Sequence, residues 1–439
     1  MAAAYKTSRF NVWHESKDKI LLYNTFTTGL LKLGGGHAEK IKQVMADPEK
    51  TDILSKDEMS LIVDNGFLLD ASIDELEMVK YRYYRGVFDN KRLTLTIIPT
   101  TDCNFACPYC FEQNKSHQRL TDTDIDEIKK YLSRELREIK PEAFAYSLYG
   151  GEPLLCMDII EKVSYEISAI CRDLGIKREK DYILTNGYLL TERMAERMLK
   201  ANIGRLQISI DGNMAEHNTT RRLKNGAGTF REVLNAIYVS EKYFSQVDVR
   251  INTNKGNYPG VAELIEKEPI FRSPKVSISI GNLRQYMGGE MERQEDTDCF
   301  TGKEHQQIQQ AIYDIIKRTG GKDFKLEDRS HAFYTKLNYC GADQQKTVFI
   351  GPGGAIYKCA ERTDPGEEVG HIKDGMIVPN ARFWEWFQNN PFRDGTCSSC
   401  IYLPICMGGC PSARERLKIP NDEICGYWEQ WLVKKLERC

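Results

Sequence analysis

The sequence predicts an α/β chain: a partial (β/α)6 TIM-like barrel, preceded by a small winged-helix-like domain and followed by a cysteine-rich domain. Three observations lead there. Between residues 93 and 285, six apolar, β-rich runs alternate with helical stretches, the pattern of a parallel sheet flanked by helices. Residues 1–90 contain no cysteine. Seven of the 14 cysteines fall between Cys340 and Cys425. A chain of 439 residues exceeds one ordinary core, so two or three domains are expected. The expected boundaries are 1–90, a core at 93–285, a connector at 286–334 and a tail at 335–439.

In the first domain, FNVWHE and KILLYNT read as two strands around the turn SKDK. HAEKIKQVMA and SKDEMSLIVDNGFLL read as short helices, the second capped by Ser55 and stopped at Gly66. SIDELEMVKYRYYRGVF reads as a longer helix with a Ser72-x-x-Glu75 start. No catalytic group stands out, so binding is the expected role.

The core strands are LTLTIIP, AFAYSLYGG, DYILTNG, RLQISIDG, VDVRINTN and VSISIGN. Helical stretches such as DIDEIKKYLSRELREI and MDIIEKVSYEISAICRDLG separate them. Functional groups in βα architectures gather where strands end. The unusual residues fall there: a cysteine loop, then Gly150-Gly151-Glu152-Pro153, then Thr185-Asn186-Gly187, then Ser209 and Asp211. The connector is polar, with one helix-like run, HQQIQQAIYDIIKRTGG.

Charge is nearly balanced, 61 basic against 63 acidic residues. That gives no electrostatic reason to expect nucleic acid or a membrane surface as partner. Nor does any apolar run approach the ~20 residues of a membrane helix. The N-terminus lacks a basic start followed by an apolar stretch, so a cytoplasmic protein is expected. In a reducing compartment, clustered cysteines are metal ligands before they are disulfides.

Cys103, Cys107 and Cys110 are spaced C-x3-C-x2-C. Three thiolates on one loop hold three irons of a [4Fe–4S] cube and leave the fourth open; a partial zinc site is the other reading. With Tyr109 just before the last cysteine, the loop resembles the signature of the radical S-adenosylmethionine (SAM) family, and Gly150–Pro153 match that family's GGEP motif. The resemblance implies that SAM chelates the open iron and is cleaved to a 5′-deoxyadenosyl radical. It implies that Gly150, Gly151, Glu152 and Pro153 hold the amino group of SAM. Thr185, Asn186, Ser209 and Asp211 would contact ribose and carboxylate, Arg221 of HNTTR would pair with the carboxylate, and Asn252 would line the pocket. Each has a plainer reading: Asn-Gly and Asp-Gly are usually turns, and an arginine beside Arg222 and Lys224 usually faces water. Their order, in phase with six strands, favours the cofactor site.

The tail pattern Cys340-x13-Gly354-x4-Cys359, Cys397-x2-Cys400-x5-Cys406-x3-Cys410 and Cys425 resembles the seven-cysteine SPASM motif. The resemblance implies two auxiliary [4Fe–4S] clusters, hence three in all. Cys397, Cys400, Cys406 and Cys425 would hold one; Cys340, Cys359 and Cys410 would hold the other, one ligand short. Either Cys299 completes it or an iron stays open for a substrate thiolate. A zinc ribbon needs two C-x2-C pairs and finds one here. Cys156, Cys171 and Cys439 read as small, half-buried side chains.

SPASM tails occur in peptide-modifying enzymes and in anaerobic sulfatase-maturating enzymes. Two features argue against the latter: a unit of about ninety residues ahead of the core that bears the first cysteine, and Ala360 where that group has an aspartate base. The N-terminal domain resembles a peptide-recognition (RRE-like) element, on which a leader adds as a strand; a packing domain is the plainer reading. The expectation is a radical SAM oxidoreductase that binds a ribosomally made precursor by its leader. It would install a cysteine thioether of the sactipeptide or ranthipeptide type, fed by a flavodoxin- or ferredoxin-type donor. A carbon–carbon or carbon–oxygen crosslinking maturase, and a cluster protein without catalysis, are the rivals.

Overall fold

The computed structural model of the chain describes residues 4–16, 19–110, 112, 116–283, 286–287, 290–291, 300, 302–320, 334–388, 390–412 and 421–439. Two units emerge: Met1–Asp89 with Asp328–Gln345 and Trp386–Cys439, and Asn90–Glu327 with Lys346–Glu385. The residues from 335 onward are thus divided, 346–385 going with the barrel. Cys299 lies outside the described residues.

The first unit starts with strands β1 (Tyr5–Thr7), β2 (Asn11–Ser16), β3 (Lys19–Asn24) and β4 (Leu30–Leu33). β2, β3 and β4 form an antiparallel meander, including the expected hairpin. Helices α1 (Gly35–Ala46) and α2 (Lys56–Asp64) follow, then β5 (Leu68–Asp70), antiparallel to β1, and helix α3 (Glu75–Val87). Ser55 and Glu58 form the capping box of α2, satisfying two otherwise orphaned amides. Gly66 ends it at φ 77°, a left-handed conformation natural for glycine. The cap of α3 is Asp74, not Ser72: its carboxylate accepts from Leu76 N and Glu77 N, while Ser72 is held by Asp70. Ser72 lies too early to reach the first helical amides, and Asp74 does reach them.

This unit joins the two ends of the chain in shared cores. Phe10, Val79, Tyr83 and Val87 pack with Cys397, Leu403 and Met407. Leu21 and Tyr23 pack with Ile405, Cys406, Trp428, Leu432 and Leu436. Burial of that apolar surface, worth roughly 25 cal/mol per Å², holds the cysteine-rich segment against the N-terminal strands.

In the second unit the six expected strands are all present: β6 (Thr94–Ile97), β7 (Ala143–Phe144) with β8 (Ser147–Leu148), β10 (Asp181–Thr185), β11 (Ile203–Ile210), β12 (Val247–Thr253) and β13 (Val276–Asn282). β7 leaves the main sheet to pair with the short β9 (Lys177–Arg178). Between the strands lie helices α4 (Asp122–Ile139), α5 (Met157–Asp173), α6 (Glu192–Lys200), α7 (Met214–Thr220), α8 (Phe230–Tyr243) and α9 (Tyr258–Lys267). The order β13-β12-β11-β10-β8-β6 is parallel throughout, a partial barrel. A hairpin, β14 (Tyr286–Met287) and β15 (Glu290–Met291), and helix α10 (Gly302–Arg318) follow.

The sheet then continues with strands not anticipated. β16 (Thr347–Ile350) adds in parallel to β6, followed by antiparallel β17 (Ala355–Tyr357), β18 (Gly370–Lys373) and β19 (Met376–Pro379). Along β12, Val247, Val249 and Ile251 are buried while Asp248, Arg250 and Asn252 are half-buried, the period-two alternation of a sheet with helices on one face and a polar lumen on the other. No described helix is long and apolar enough to cross a membrane.

Candidate active site

The cysteine loop leaves the C-terminal end of β6 and is pinned to the segment after α7. Ala106 N donates to Arg222 O at 2.8 Å and Lys224 N to Asn104 O at 3.1 Å. Lys224 Nζ and His117 Nδ1 both meet Asp102 Oδ1, at 2.7 and 2.9 Å. Gly150 and Gly151 make the opposite wall. A Cβ on Gly151 would lie 2.2 Å from Asp102 O, and one on Gly150, at φ 130°, would lie 2.4 Å from Thr100 O. Both glycines are therefore required for close approach of the cysteine loop itself.

Glu152 is fully buried. Its Oε1 accepts from Leu154 N at 3.0 Å and Thr185 Oγ1 at 2.7 Å; its Oε2 accepts from Asn186 N at 2.7 Å. One carboxylate thus ties the second strand end to the third, and Pro153 opens the short turn it caps. Burial pushes the Glu152 carboxyl up, against these hydrogen bonds. Oε2 retains a lone pair for one further donor. Asn186 Nδ2 donates to Asn104 Oδ1 at 2.7 Å and approaches Cys103 Sγ at 3.8 Å.

Tyr109 is the hub of the other half. Its hydroxyl donates to Asp211 Oδ2 and accepts from Arg221 Nη1 at 2.9 Å. Asp211 also accepts from Asn252 Nδ2 at 3.2 Å and Thr220 Oγ1 at 3.3 Å. Burial raises the Asp211 carboxyl, opposed chiefly by the Arg221 charge. Arg221 is buried rather than solvated, lies over the Phe105 ring at 5.5 Å and leaves Nε without a partner. Ser209 sits one strand position before this cluster, half-buried on β11.

Two residues not singled out from the sequence complete the frame. His217 is fully buried; its Nδ1 accepts from Asp211 N at 3.2 Å and its Nε2 meets Thr229 Oγ1 at 3.0 Å, which donates to Arg221 O at 2.5 Å. Burial lowers the imidazole to about 3, so it stays neutral and holds Asp211 and Arg221 at fixed spacing. Asn257 Nδ2 caps Asp211 O at 3.4 Å. Only the placement of His217 in α7, the short helix that Arg221 caps, could have flagged it.

The three thiols share one loop, and burial pushes the Cys107 thiol up to about 12 against the Arg221 charge. Coordination to iron would hold it deprotonated. Among the described residues no three His, Cys, Asp or Glu side chains are gathered closely enough to hold one metal ion. The set nevertheless fits a cluster with a charged organic ligand: three thiols, an orphaned buried guanidinium nitrogen and an orphaned Asn104 Nδ2 beside them.

The tail cysteines divide. Cys340, Cys397, Cys400, Cys406, Cys410 and Cys425 belong to the first unit, Cys359 to the second. Between Cys406 and Cys410, Met407, Gly408 and Gly409 all adopt positive φ, at 52°, 86° and 77°, turning the chain beside a cavity of about 210 Å³ lined in part by Asp343 and Asp394. Cys359 follows β17, and Thr363 Oγ1 donates to the buried Glu112 Oε1 at 3.1 Å. The Tyr149 phenol lies in the field of Glu112, Cys110, Glu361 and Cys359. Cys156 and Cys171 are buried core side chains and Cys439 is exposed.

Comparison with known proteins agrees with this fold. The model of the radical SAM superfamily matches residues 97–270. Mycofactocin maturase MftC of Mycobacterium tuberculosis is 26% identical over 349 residues, 75% of this chain and 81% of that protein. Among solved structures, anSMEcpe with bound AdoMet superposes with a TM-score of 0.62 at 18% identity, over 79% of this chain and 98% of that one. Streptococcus suis SuiB bound to precursor peptide SuiA superposes at 0.54 and 15% identity, over 92% of this chain and 95% of that one.

Proposed function

We propose, for a chain whose residues 97–270 are a radical SAM domain, that this enzyme is a peptide maturase that installs a cysteine thioether in a precursor peptide. Cys103, Cys107 and Cys110 would hold a [4Fe–4S] cluster, and bound SAM would supply a 5′-deoxyadenosyl radical for hydrogen abstraction. The residues of this chain position that chemistry. Glu152 Oε2 would accept from the SAM ammonium. Arg221, fixed through Tyr109 and His217, offers its unused Nε to a carboxylate. Thr185, Asn186, Ser209 and Asn252 would line the rest of the pocket. Two auxiliary clusters on the C-terminal cysteines belong to the same reading.

The observation that carries the site is the Tyr109–Asp211–Arg221 assembly locked against the three-cysteine loop. The peptide substrate is supported by the similarity to a mycofactocin maturase and to SuiB, solved with its precursor peptide. The shared core between residues 1–89 and the cysteine-rich segment suits a leader-docking domain. Anaerobic reconstitution with SAM and dithionite should yield 5′-deoxyadenosine; none would end the enzyme reading. Mass spectrometry of a co-expressed cysteine-containing precursor should show a product lighter by two hydrogens and with one free thiol fewer. A crosslinked product that keeps its thiols would instead select carbon–carbon or carbon–oxygen bonding.

A further inference from the structure

The side-chain amide of Asn186 is held at both ends. The residue follows β10, is 6% exposed, and donates its backbone N–H to Glu152 Oε2 at 2.7 Å. Tyr188 N donates to Asn186 Oδ1 at 3.0 Å. A backbone N–H can only donate, so this contact fixes which end of the amide is oxygen. The nitrogen end then faces the cysteine loop. Asn186 Nδ2 donates to Asn104 Oδ1 at 2.7 Å and meets Cys103 Sγ at 3.8 Å, a distance that the larger sulfur atom allows. An amide nitrogen carries two hydrogens, and these two contacts use both. Neither is left for a cofactor hydroxyl or carboxylate.

The three thiols of the loop differ in this respect. Cys103, 7% exposed, also receives Phe105 N at 3.4 Å, so two N–H groups converge on its sulfur. Among the described residues no hydrogen bond reaches Cys107 Sγ, and Cys110 Sγ meets a carbonyl, Glu112 O, at 4.0 Å. A carbonyl oxygen accepts and has no proton to offer a thiolate. Hydrogen bonds to the sulfurs of an iron–sulfur cluster help set its reduction potential. They stabilise the extra negative charge of the reduced form, and burial strengthens them.

We propose that Asn186, placed above among the residues lining the pocket, acts on the first cluster through Cys103: its amide donates to that sulfur and raises the potential at which the cluster is reduced. The inference rests on the reading of Cys103 as a cluster ligand and adds a role to it. Asn104 supports the role, because its Oδ1 takes one hydrogen of the Asn186 amide and leaves the other to sulfur.

Redox titration of the anaerobically reconstituted full chain, followed by electron paramagnetic resonance, tests this. The signal component missing from a Cys103→Ala chain belongs to the first cluster. Asn186→Leu keeps a side chain of similar shape and removes the donor. In it, that component should be about tenfold harder to reduce, ~59 mV lower for one electron. Titration calorimetry should find its affinity for SAM near that of the parent. An unchanged midpoint overturns the proposal, and with weaker SAM binding it would make Asn186 a cofactor contact instead. If Asn186→Leu loses its iron, the unaltered chain decides. Grown on asparagine labelled with heavy nitrogen, it should show an amide-nitrogen coupling on the same component, and no coupling overturns the proposal. Failure of the underlying reading is seen separately, as a Cys103→Ala chain that keeps every component.

Discussion

Cys103, Cys107 and Cys110 sit on a loop fixed by polar contacts, whereas Cys397 and Cys406 are fixed by apolar packing. Around the first set, Glu152, Asp211, Arg221 and His217 are all buried; Glu152 binds the end of β10, Asp211 and Arg221 meet at Tyr109, and His217 accepts from Asp211 N. Around the second, the neighbours are Phe10, Leu403, Ile405, Leu432 and Leu436. The difference follows from what each loop must meet. A loop that faces a charged organic cofactor needs directional donors and acceptors held rigid before it arrives. On the proposed reading the tail cysteines would close on iron alone, and such a segment needs only to be brought to its place, for which non-directional burial suffices.

The comparison breaks most completely at Cys103. Cys103→Ala should abolish 5′-deoxyadenosine formation while iron analysis falls by roughly one cube; surviving cleavage would remove this loop from the chemistry. Next comes the apolar side. Leu432, 1% exposed, should cost about 2–5 kcal/mol when changed to Ala, read as a lower urea midpoint. An unchanged midpoint would mean that packing does not hold the cysteine segment. On the polar side, Gly151→Ala places a methyl 2.2 Å from a backbone oxygen and should cost about 1–3 kcal/mol, together with weaker SAM binding. The smallest effect is a pH dependence. His217 is lowered from 6.5 to about 3 in the fold. Between those values the unfolded chain takes up a proton that the folded chain refuses, so stability falls as pH drops below about 6.5, by about 1.4 kcal/mol per unit. A His217→Gln variant should show a shallower slope in thermal melts from pH 7 to 5; an equal slope would reassign the acid sensitivity.

Much of this was legible in the chain. The six strands, the cysteine loop and the GGEP stretch could be placed because hydrophobic periodicity and residue spacing are local properties. Ser55 and Gly66 were legible for the same reason, as caps act over three or four residues. The cap of α3 was misread because two acceptors, Ser72 and Asp74, compete within three positions, and geometry chooses the nearer. TVFI at 347–350 is different: four apolar residues carry too little pattern to reveal that they extend the barrel sheet beside β6.

By itself, then, the sequence carried the resemblance to the radical SAM family, because C-x3-C-x2-C and the glycines before a glutamate are local patterns. Only the tertiary structure decided what those residues do for each other. Gly150 and Gly151 make room for the cysteine loop, Glu152 ties two strand ends, and Arg221 is buried against Tyr109 instead of facing water. That Ser209, Arg250 and Ser279 stand level on three strands follows only from strand register. Residues separated by about 30–40 positions in sequence become neighbours when parallel strands pair, and no local pattern encodes which side chains come to share one row of the sheet.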